Sequence, residues 1–267
     1  MIDPQVFLVV GAGLLGAILG SFLNALLFRY NTGRSVLRGR SQCMHCGHAL
    51  GTLDLVPIIS YLALRGRCRH CGCKFSVQYP LVEATGAALG ALVYLQHPEP
   101  AAFALWLAVW MTLLFIFVYD LRHKIIPWSA SGLLAILALV HVCLLGFDFW
   151  NFAAGPLLAL PLFLISAVSG GRWMGWGDSA LELGLGWLLG ITAGLTALVL
   201  AFWIGAAVGI GLILIERGFT PTPTSKKLVW GYTMKSEVPF APFLIAGAAL
   251  ALFLDVDIFQ TLPALFV

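Results

Sequence analysis

Charged side chains are scarce in this sequence, and their scarcity excludes an ordinary soluble domain. Of the 267 residues, 10% are charged and 60% are hydrophobic, and the mean hydropathy is +0.96. Soluble globular chains carry about 25% charged residues, so this chain is more apolar than a soluble core requires. The composition predicts an all-α polytopic membrane protein.

Two further features are missing. No basic residue precedes the first apolar run, which follows Met1-Ile2-Asp3-Pro4, whereas eight basic residues come after it. A cleaved secretion signal has its basic residues in front, so we expect residues 1–28 to remain as the first transmembrane helix. Internal repeats are also missing, which argues against transporters built from repeated halves.

Long apolar runs are abundant, and they determine the number of predicted crossings. A helical crossing needs about 20 apolar residues. The runs are Val6 to Phe28, Leu81 to Leu95, Ala101 to Tyr119, Ile125 to Phe147, Phe152 to Ser169, Leu181 to Ile215 and Pro239 to Leu254. The run from Leu181 is too long for one helix, and the stretch from Gly190 to Gly194 offers a break. Dividing it there predicts about eight transmembrane helices.

The basic residues indicate how these helices are oriented. Between residues 29 and 74, eight basic residues accompany one acid, Asp54, which marks this loop as cytoplasmic by the positive-inside rule. The amino terminus then lies outside. Alternating crossings place all fifteen basic residues inside, provided that residues 181–215 cross twice. The net charge of +3 therefore reflects topology and indicates no nucleic-acid partner.

The cytoplasmic loop contains two C-x2-C pairs separated by 21 residues. Two short hairpins that each present two sulfur atoms can complete a tetrahedral zinc site, and Gly47 and Gly72 allow the tight turns. A disulfide framework is the alternative, but the cytoplasm is reducing. We predict a structural zinc-binding domain over residues 29–79 and a membrane domain over residues 80–267. The predicted zinc ligands are Cys43, Cys46, Cys68 and Cys71.

Two aspartates lie at predicted membrane edges on the same side. Asp120 follows one apolar run, and Asp178 ends the segment Gly175-Trp176-Gly177-Asp178. Inserting a carboxylate costs roughly 2.5 to 3.5 kcal/mol of free energy at the centre of a membrane helix and less near an interface. A carboxylate at such a position therefore suggests a functional role. Two carboxylates that share a proton can act as base and acid when water attacks a peptide bond.

Each aspartate also has a structural explanation. Asp178 can cap the helix that it begins, and Asp120 can pair with Arg122 or Lys124. Two other functions stay open as well. A proton-coupled transporter would use both acids as a proton relay, and a membrane-anchored zinc-ribbon adaptor would leave them inert, although it leaves their matched depth unexplained. A cleavage assay separates these alternatives.

An ordered series of motifs resembles the type IV prepilin peptidases, a membrane aspartyl protease family of the GxGD type. The resemblance covers nearly the whole chain and is more specific than any single motif. The matching segments are Gly20-Ser21-Phe22-Leu23-Asn24 with Arg29, the two C-x2-C pairs, Asp54 to Leu62, Leu64 to Cys68, Tyr79 to Glu83, Asp120-Leu121-Arg122, Gly175 to Asp178, and Pro239 to Pro242.

The resemblance implies that Asp120 and Asp178 are the catalytic pair of an aspartyl protease in the bacterial inner membrane. Its substrates would be prepilins or pseudopilins, whose basic cytoplasmic leader it would remove at the cytoplasmic face. Family members commonly N-methylate the new amino terminus with S-adenosylmethionine, and the resemblance links the zinc domain to that step.

Two residues are candidates for a methyl-transfer site. Gly66 would allow close passage of the backbone, and Glu83 would hold the cationic cofactor or the new ammonium group by charge pairing. Glu83 also has a structural alternative, in which an arginine of the preceding loop is its partner.

Three positions depart from the family pattern. Trp128 stands where Asp or Asn is common after the proline, Ala180 occupies a position that is usually basic, and Ala241 replaces the glycine of the late Pro-Phe-Gly-Pro motif. Both acids are intact, so we expect the reaction class to be retained.

Overall fold

The computed structural model is helical, as the composition predicts. It describes residues 4–33, 35, 41–146, 148–219 and 238–259. Within these ranges the only β-type pairings are two isolated bridges. The helices are α1 (Pro4–Arg29), α2 (Ile59–Ala63), α3 (Gln78–Gln96), α4 (Pro100–His123), α5 (Trp128–Leu144), α6 (Phe149–Ser169), α7 (Trp176–Phe219) and α8 (Ala241–Phe253).

Four of these helices are long and apolar enough to cross a membrane. They are α1, α4, α6 and the part of α7 that ends at Ile215. Two shorter apolar helices, α5 and α8, accompany them. The predicted multi-pass membrane class is confirmed at this level, while the count of eight crossings stays a prediction.

The break predicted in the longest apolar run is confirmed at Gly190, whose φ of 73° and ψ of −173° interrupt α7. A Cβ atom placed on Gly194 would lie 3.8 Å from the Cα atom of Gly186. In a continuous helix, residues 186 and 194 would be about 12 Å apart along the axis. The two halves of α7 therefore fold back on each other as a helical hairpin.

The described chain divides into two compact units, residues 1–115 and residues 116–267. In the first unit, α1 packs closely on α3 because glycines face each other. A Cβ atom on Gly16 would overlap the backbone of Gly86, and one on Gly20 would lie 3.0 Å from the Cα atom of Glu83. The small-residue spacing of α1 thus serves packing within this chain.

In the second unit, α7 packs against α5, α6 and α8. Helix α6 begins after Asp148, whose side chain accepts the N–H of Asn151 at 3.2 Å, and it ends at Gly170 in the left-handed conformation. The cap at Gly170 fixes where the loop before α7 starts.

The predicted domain boundaries at residues 28 and 79 stay predictions. Several residues behind the predicted orientation lie outside the described residues, namely Asp3, Arg34, Arg38, Arg40, Lys226, Lys227 and Lys235.

Candidate active site and cysteine cluster

Asp120 lies in the last turn of α4 and is buried. The helix ends just after it, where Lys124 adopts a positive φ of 53° and donates its N–H to the Asp120 carbonyl at 2.8 Å. The Asp120 carboxylate accepts the backbone N–H of Ala241, the first residue of α8. A helix amino terminus favours a negative charge nearby, so α8 is placed to stabilise the Asp120 carboxylate.

Asp178 lies in the first turn of α7, which it caps. Its Oδ2 accepts the N–H of Gly175 at 3.1 Å, and its own N–H donates to the Gly175 carbonyl at 3.2 Å. A carboxylate three residues after the cap position commonly reaches back in this way. The structural explanation for Asp178 is therefore present, but the cap occupies only one carboxylate oxygen.

The loop before Asp178 is fixed by two buried serines of α6. The Ser166 hydroxyl donates to the Met174 carbonyl at 3.1 Å, and the Ser169 hydroxyl accepts the N–H of Trp173 at 3.3 Å. These bonds satisfy backbone groups of a loop that has no regular structure. They set the position from which α7 begins.

Close packing against Ile126 requires a glycine at position 177. A Cβ atom at this position would lie 2.7 Å from the Cβ atom of Ile126, in the segment before α5. Real Cβ atoms do not approach so closely, and forcing extra atoms into a packed site shifts the backbone. The glycine of the GxGD segment therefore brings Asp178 close to the segment that follows Asp120.

The structure brings the two aspartates together. Their carboxyl groups are close enough for the charge of Asp120 to act on Asp178. Among the described residues, Oδ2 of Asp120 has no hydrogen-bond partner, and Asp120 forms no ion pair with a basic side chain. The alternative that it pairs with Arg122 or Lys124 is therefore unsupported. The arrangement suits one carboxyl group as proton acceptor and the other as donor.

A third acid, Glu182, was missed by the sequence analysis. It lies one turn after Asp178 in α7 and is 1% exposed, and neither carboxyl oxygen has a hydrogen-bond partner among the described residues. Its spacing of four residues from Asp178 could have revealed it, because residues at i and i+4 share one helix face. Because Glu182 lies within an apolar run, the sequence pattern did not single it out.

The two C-x2-C pairs form matching hairpin turns. In the first, Gly47 donates to the Cys43 carbonyl at 2.9 Å, and in the second, Gly72 donates to the Cys68 carbonyl at the same distance. Both glycines have positive φ, 71° and 69°, as the sequence predicts. Pairing between Gln42 and Ala49 closes one hairpin, and a second bridge closes the other.

These turns bring the four predicted zinc ligands together, with all sulfur atoms within 4.8 Å of one another. Four sulfur atoms that surround Zn²⁺ at about 2.3 Å are about 3.8 Å apart, so the donor set fits the metal. Cys73 also contacts this cluster, at 3.4 Å from the sulfur of Cys43 and 3.2 Å from that of Cys71. With His45 and Cys71 it forms a second, smaller group of potential ligands.

The electrostatics of the cluster favour a cation. The hydrogen bond from the Cys46 backbone N–H lowers the pKa of the Cys43 thiol to about 6. Although the backbone N–H of His48 favours its thiolate, burial and neighbouring thiols raise the pKa of Cys46 to about 11. The Cys43 thiolate therefore forms readily, whereas the Cys46 thiolate needs a positive charge beside it.

The two methyl-transfer candidates both make close contacts within the first unit. Gly66 is buried at a φ of 65°, and a Cβ atom there would lie 2.8 Å from the Tyr61 ring. Glu83 is buried in α3 and accepts the backbone N–H of Ile58 at 2.7 Å and a hydrogen bond from the Ser21 side chain. In place of the arginine of the structural alternative, Glu83 thus has a backbone N–H and a hydroxyl group as partners.

The three departures from the family pattern have different surroundings. Trp128 is exposed at the start of α5, and Ala180 is half-buried in α7. Ala241 is buried, but it contacts Asp120 through its backbone N–H. A change from glycine to alanine keeps that donor, so this departure leaves the contact intact.

Comparison with known proteins gives consistent matches. The bacterial peptidase A24 N-terminal domain matches residues 14–97. A prepilin leader peptidase/N-methyltransferase of Burkholderia pseudomallei is 34% identical over 221 residues, 80% of this chain and 67% of that protein. One of Aeromonas hydrophila is 33% identical, covering 80% and 71%, and one of Stutzerimonas stutzeri is 29% identical, covering 92% and 90%. No solved structure matches this chain.

Proposed function

This chain belongs to the family of prepilin leader peptidase/N-methyltransferases, and from that premise we propose that it is a bifunctional membrane enzyme. It removes the cytoplasmic leader of type IV prepilins or of secretion-system pseudopilins, and it then N-methylates the new amino terminus. The single observation that supports cleavage best is the buried pair Asp120 and Asp178, whose charges interact.

In this proposal the two aspartates carry out the hydrolysis. One carboxylate takes a proton from water, which attacks the carbonyl carbon of the scissile bond, and the other carboxyl group protonates the leaving nitrogen. Ala241 and Gly175 contribute backbone N–H groups that orient the two acids. The tight packing at Gly177 keeps the second acid beside the first.

The membrane orientation follows from the charges. With α7 acting as a hairpin that crosses twice, eight crossings place the amino terminus outside and both acids at the cytoplasmic face of the bacterial inner membrane. A prepilin has its basic leader in the cytoplasm and its apolar helix in the membrane, so its scissile bond would lie at the depth of Asp120 and Asp178.

The cysteine cluster holds one structural Zn²⁺ in this proposal. Four thiolates leave no open position for water, unlike a catalytic zinc with three protein ligands. The metal would stabilise the loop between α1 and α3, and S-adenosylmethionine would supply the methyl group. Gly66 and Glu83, both in the first unit (residues 1–115), are the residues that we associate with methyl transfer.

The test is an assay with purified components. Detergent-purified protein is incubated with a membrane-inserted prepilin and S-adenosylmethionine, and the product is analysed by mass. We expect loss of the leader and addition of one methyl group. Uncut prepilin would reject the peptidase function, whereas cut but unmethylated pilin would reject only the second activity.

A further inference from the structure

Glu83 anchors the short segment that lies between the two cysteine hairpins. We call residues 58–66 the α2 segment. Its first residue, Ile58, donates its backbone N–H to Oε2 of Glu83 at 2.7 Å, and the Ser21 side chain also hydrogen-bonds this carboxylate. Because Glu83 is 7% exposed, the carboxylate is turned inward and is not open to a bulky ligand.

The backbone at Ile58 needs such an anchor. Ile58 has a φ of 62° and a ψ of −51°, values that a β-branched residue rarely adopts. The N–H of Ile59 donates to the Pro57 carbonyl at 2.6 Å, which closes a three-residue γ-turn of the strained, positive-φ kind. Such strain persists only where the surroundings over-determine the conformation, and the bond to Glu83 holds the Ile58 N–H while the Ile58 carbonyl accepts the N–H of Leu62 at 3.0 Å.

The other end of the α2 segment is fixed at Gly66. The Gly66 N–H donates to the Tyr61 carbonyl at 2.8 Å, and the Gly66 carbonyl accepts the N–H of Phe75 at 2.8 Å. The Tyr61 ring covers the position that a Cβ atom on Gly66 would occupy. This end leads directly into Cys68, so its position determines where the second cysteine hairpin begins.

Apolar burial does little to hold this segment. Helix α2 has only five residues, which is too short to be stable alone. Its Ile59 and Leu62 are 66% and 67% exposed. The polar anchor at Glu83, the Tyr61 hydroxyl that donates to the Phe75 carbonyl at 3.4 Å, and the close packing at Gly66 therefore position it.

We propose that Glu83 is a positioning residue for methyl transfer, which acts by accepting the Ile58 N–H and thereby fixing the α2 segment, and that it makes no charge pair with S-adenosylmethionine. Gly66 serves the same segment at its other end. This inference rests on the proposed methyltransferase function and specifies how two of its candidate residues contribute.

Two substitutions at one position separate positioning from charge pairing. Glu83→Gln keeps a carbonyl oxygen that can accept the Ile58 N–H but removes the charge, whereas Glu83→Ala removes the acceptor. Methylation is measured on mature pilin supplied already cut, so that a defect in leader removal does not enter. Zinc content and leader cleavage serve as controls for folding.

If Glu83 acts by positioning, Glu83→Gln should methylate within about threefold of the rate of the unmodified enzyme, with an unchanged KM for S-adenosylmethionine. Glu83→Ala should lower the methylation rate about tenfold or more. Hydrogen exchange at the Ile58 amide should stay slow in Glu83→Gln and become fast in Glu83→Ala. This exchange difference reports the anchor directly.

The inference is overturned if Glu83→Gln loses methylation as fully as Glu83→Ala while the Ile58 amide stays protected, because the charge would then be what matters. Full methylation by Glu83→Ala would overturn it equally. If the unmodified enzyme methylates no pilin, the proposed methyltransferase function fails and the inference fails with it.

Discussion

At the residue scale, the burial of Glu182 is the feature that most requires a physical explanation. Its carboxyl group is buried without a hydrogen-bond partner among the described residues. An unsatisfied buried polar group costs about 1 to 3 kcal/mol. A site that keeps such a group one turn from Asp178 gives up stability, and trade-offs of this kind are common where function requires them.

We expect Glu182→Leu to stabilise the purified protein by about 1 to 3 kcal/mol, because leucine removes the unsatisfied carboxyl group. Thermal unfolding in detergent measures the change, and Glu182→Gln is the matched variant that keeps a polar group of the same size. A leucine variant less stable than the glutamine variant would show that the carboxyl group has a partner.

Gly177 gives a second prediction at this scale. Gly177→Ala should destabilise the protein by about 1 to 3 kcal/mol and lower cleavage, because the new methyl group overlaps Ile126. Gly132 in α5 is the control, since nothing lies within 4 Å of its Cβ position. Gly132→Ala should be neutral or slightly stabilising. Equal effects of both substitutions on unfolding and cleavage would contradict the packing argument.

At the scale of elements, the sequence predicted what depends on local spacing. The break at Gly190 and the two turns at Gly47 and Gly72 were predictable because glycine adopts positive φ at little cost. The contact between Glu83 and Ile58 joins residues 25 positions apart, and periodicity does not determine which helix end meets which loop. For the same reason the contact of α8 with Asp120 was not foreseen.

The two cysteine hairpins are predicted to bind zinc, and this prediction can be tested by metal analysis. Protein purified under reducing conditions should contain one Zn²⁺ per chain, and Cys68→Ser should lose it because three thiolates hold the metal less tightly. Cys73→Ser should keep the metal, because Cys73 is not among the four predicted ligands. Cys143→Ser, in α5, is the control. Elemental analysis that finds no metal in the unmodified protein would refute the site, and metal loss in Cys73→Ser would change its ligand set.

At the scale of the whole molecule, composition and the length of the apolar runs predicted a multi-pass membrane protein, and the long apolar helices confirm that class. The number and direction of the crossings depend on α7 turning back at Gly190. Helices α5 and α6 lie between Asp120 and Asp178, so a misplaced loop in this part of the chain would alter the side on which Asp178 lies.

Labelling of introduced cysteines tests this orientation. With Cys143 replaced by serine, a membrane-impermeant reagent applied from outside should label positions 99 and 148, and it should not label positions 41, 172 or 226. External labelling at position 172 would separate Asp178 from Asp120 across the membrane and would exclude their joint action.

The central claim is that Asp120 and Asp178 together perform the cleavage. Asp120→Asn and Asp178→Asn should each reduce leader removal at least about 100-fold, because an amide neither accepts nor donates the proton that water attack requires. The control is Asp148→Asn, since asparagine caps a helix as well as aspartate does, and it should cleave normally. Mass analysis of a membrane-inserted prepilin after incubation with each variant is the most direct measurement. We predict intact prepilin with both active-site variants and mature pilin with the control, and near-normal cleavage by either active-site variant would contradict the account.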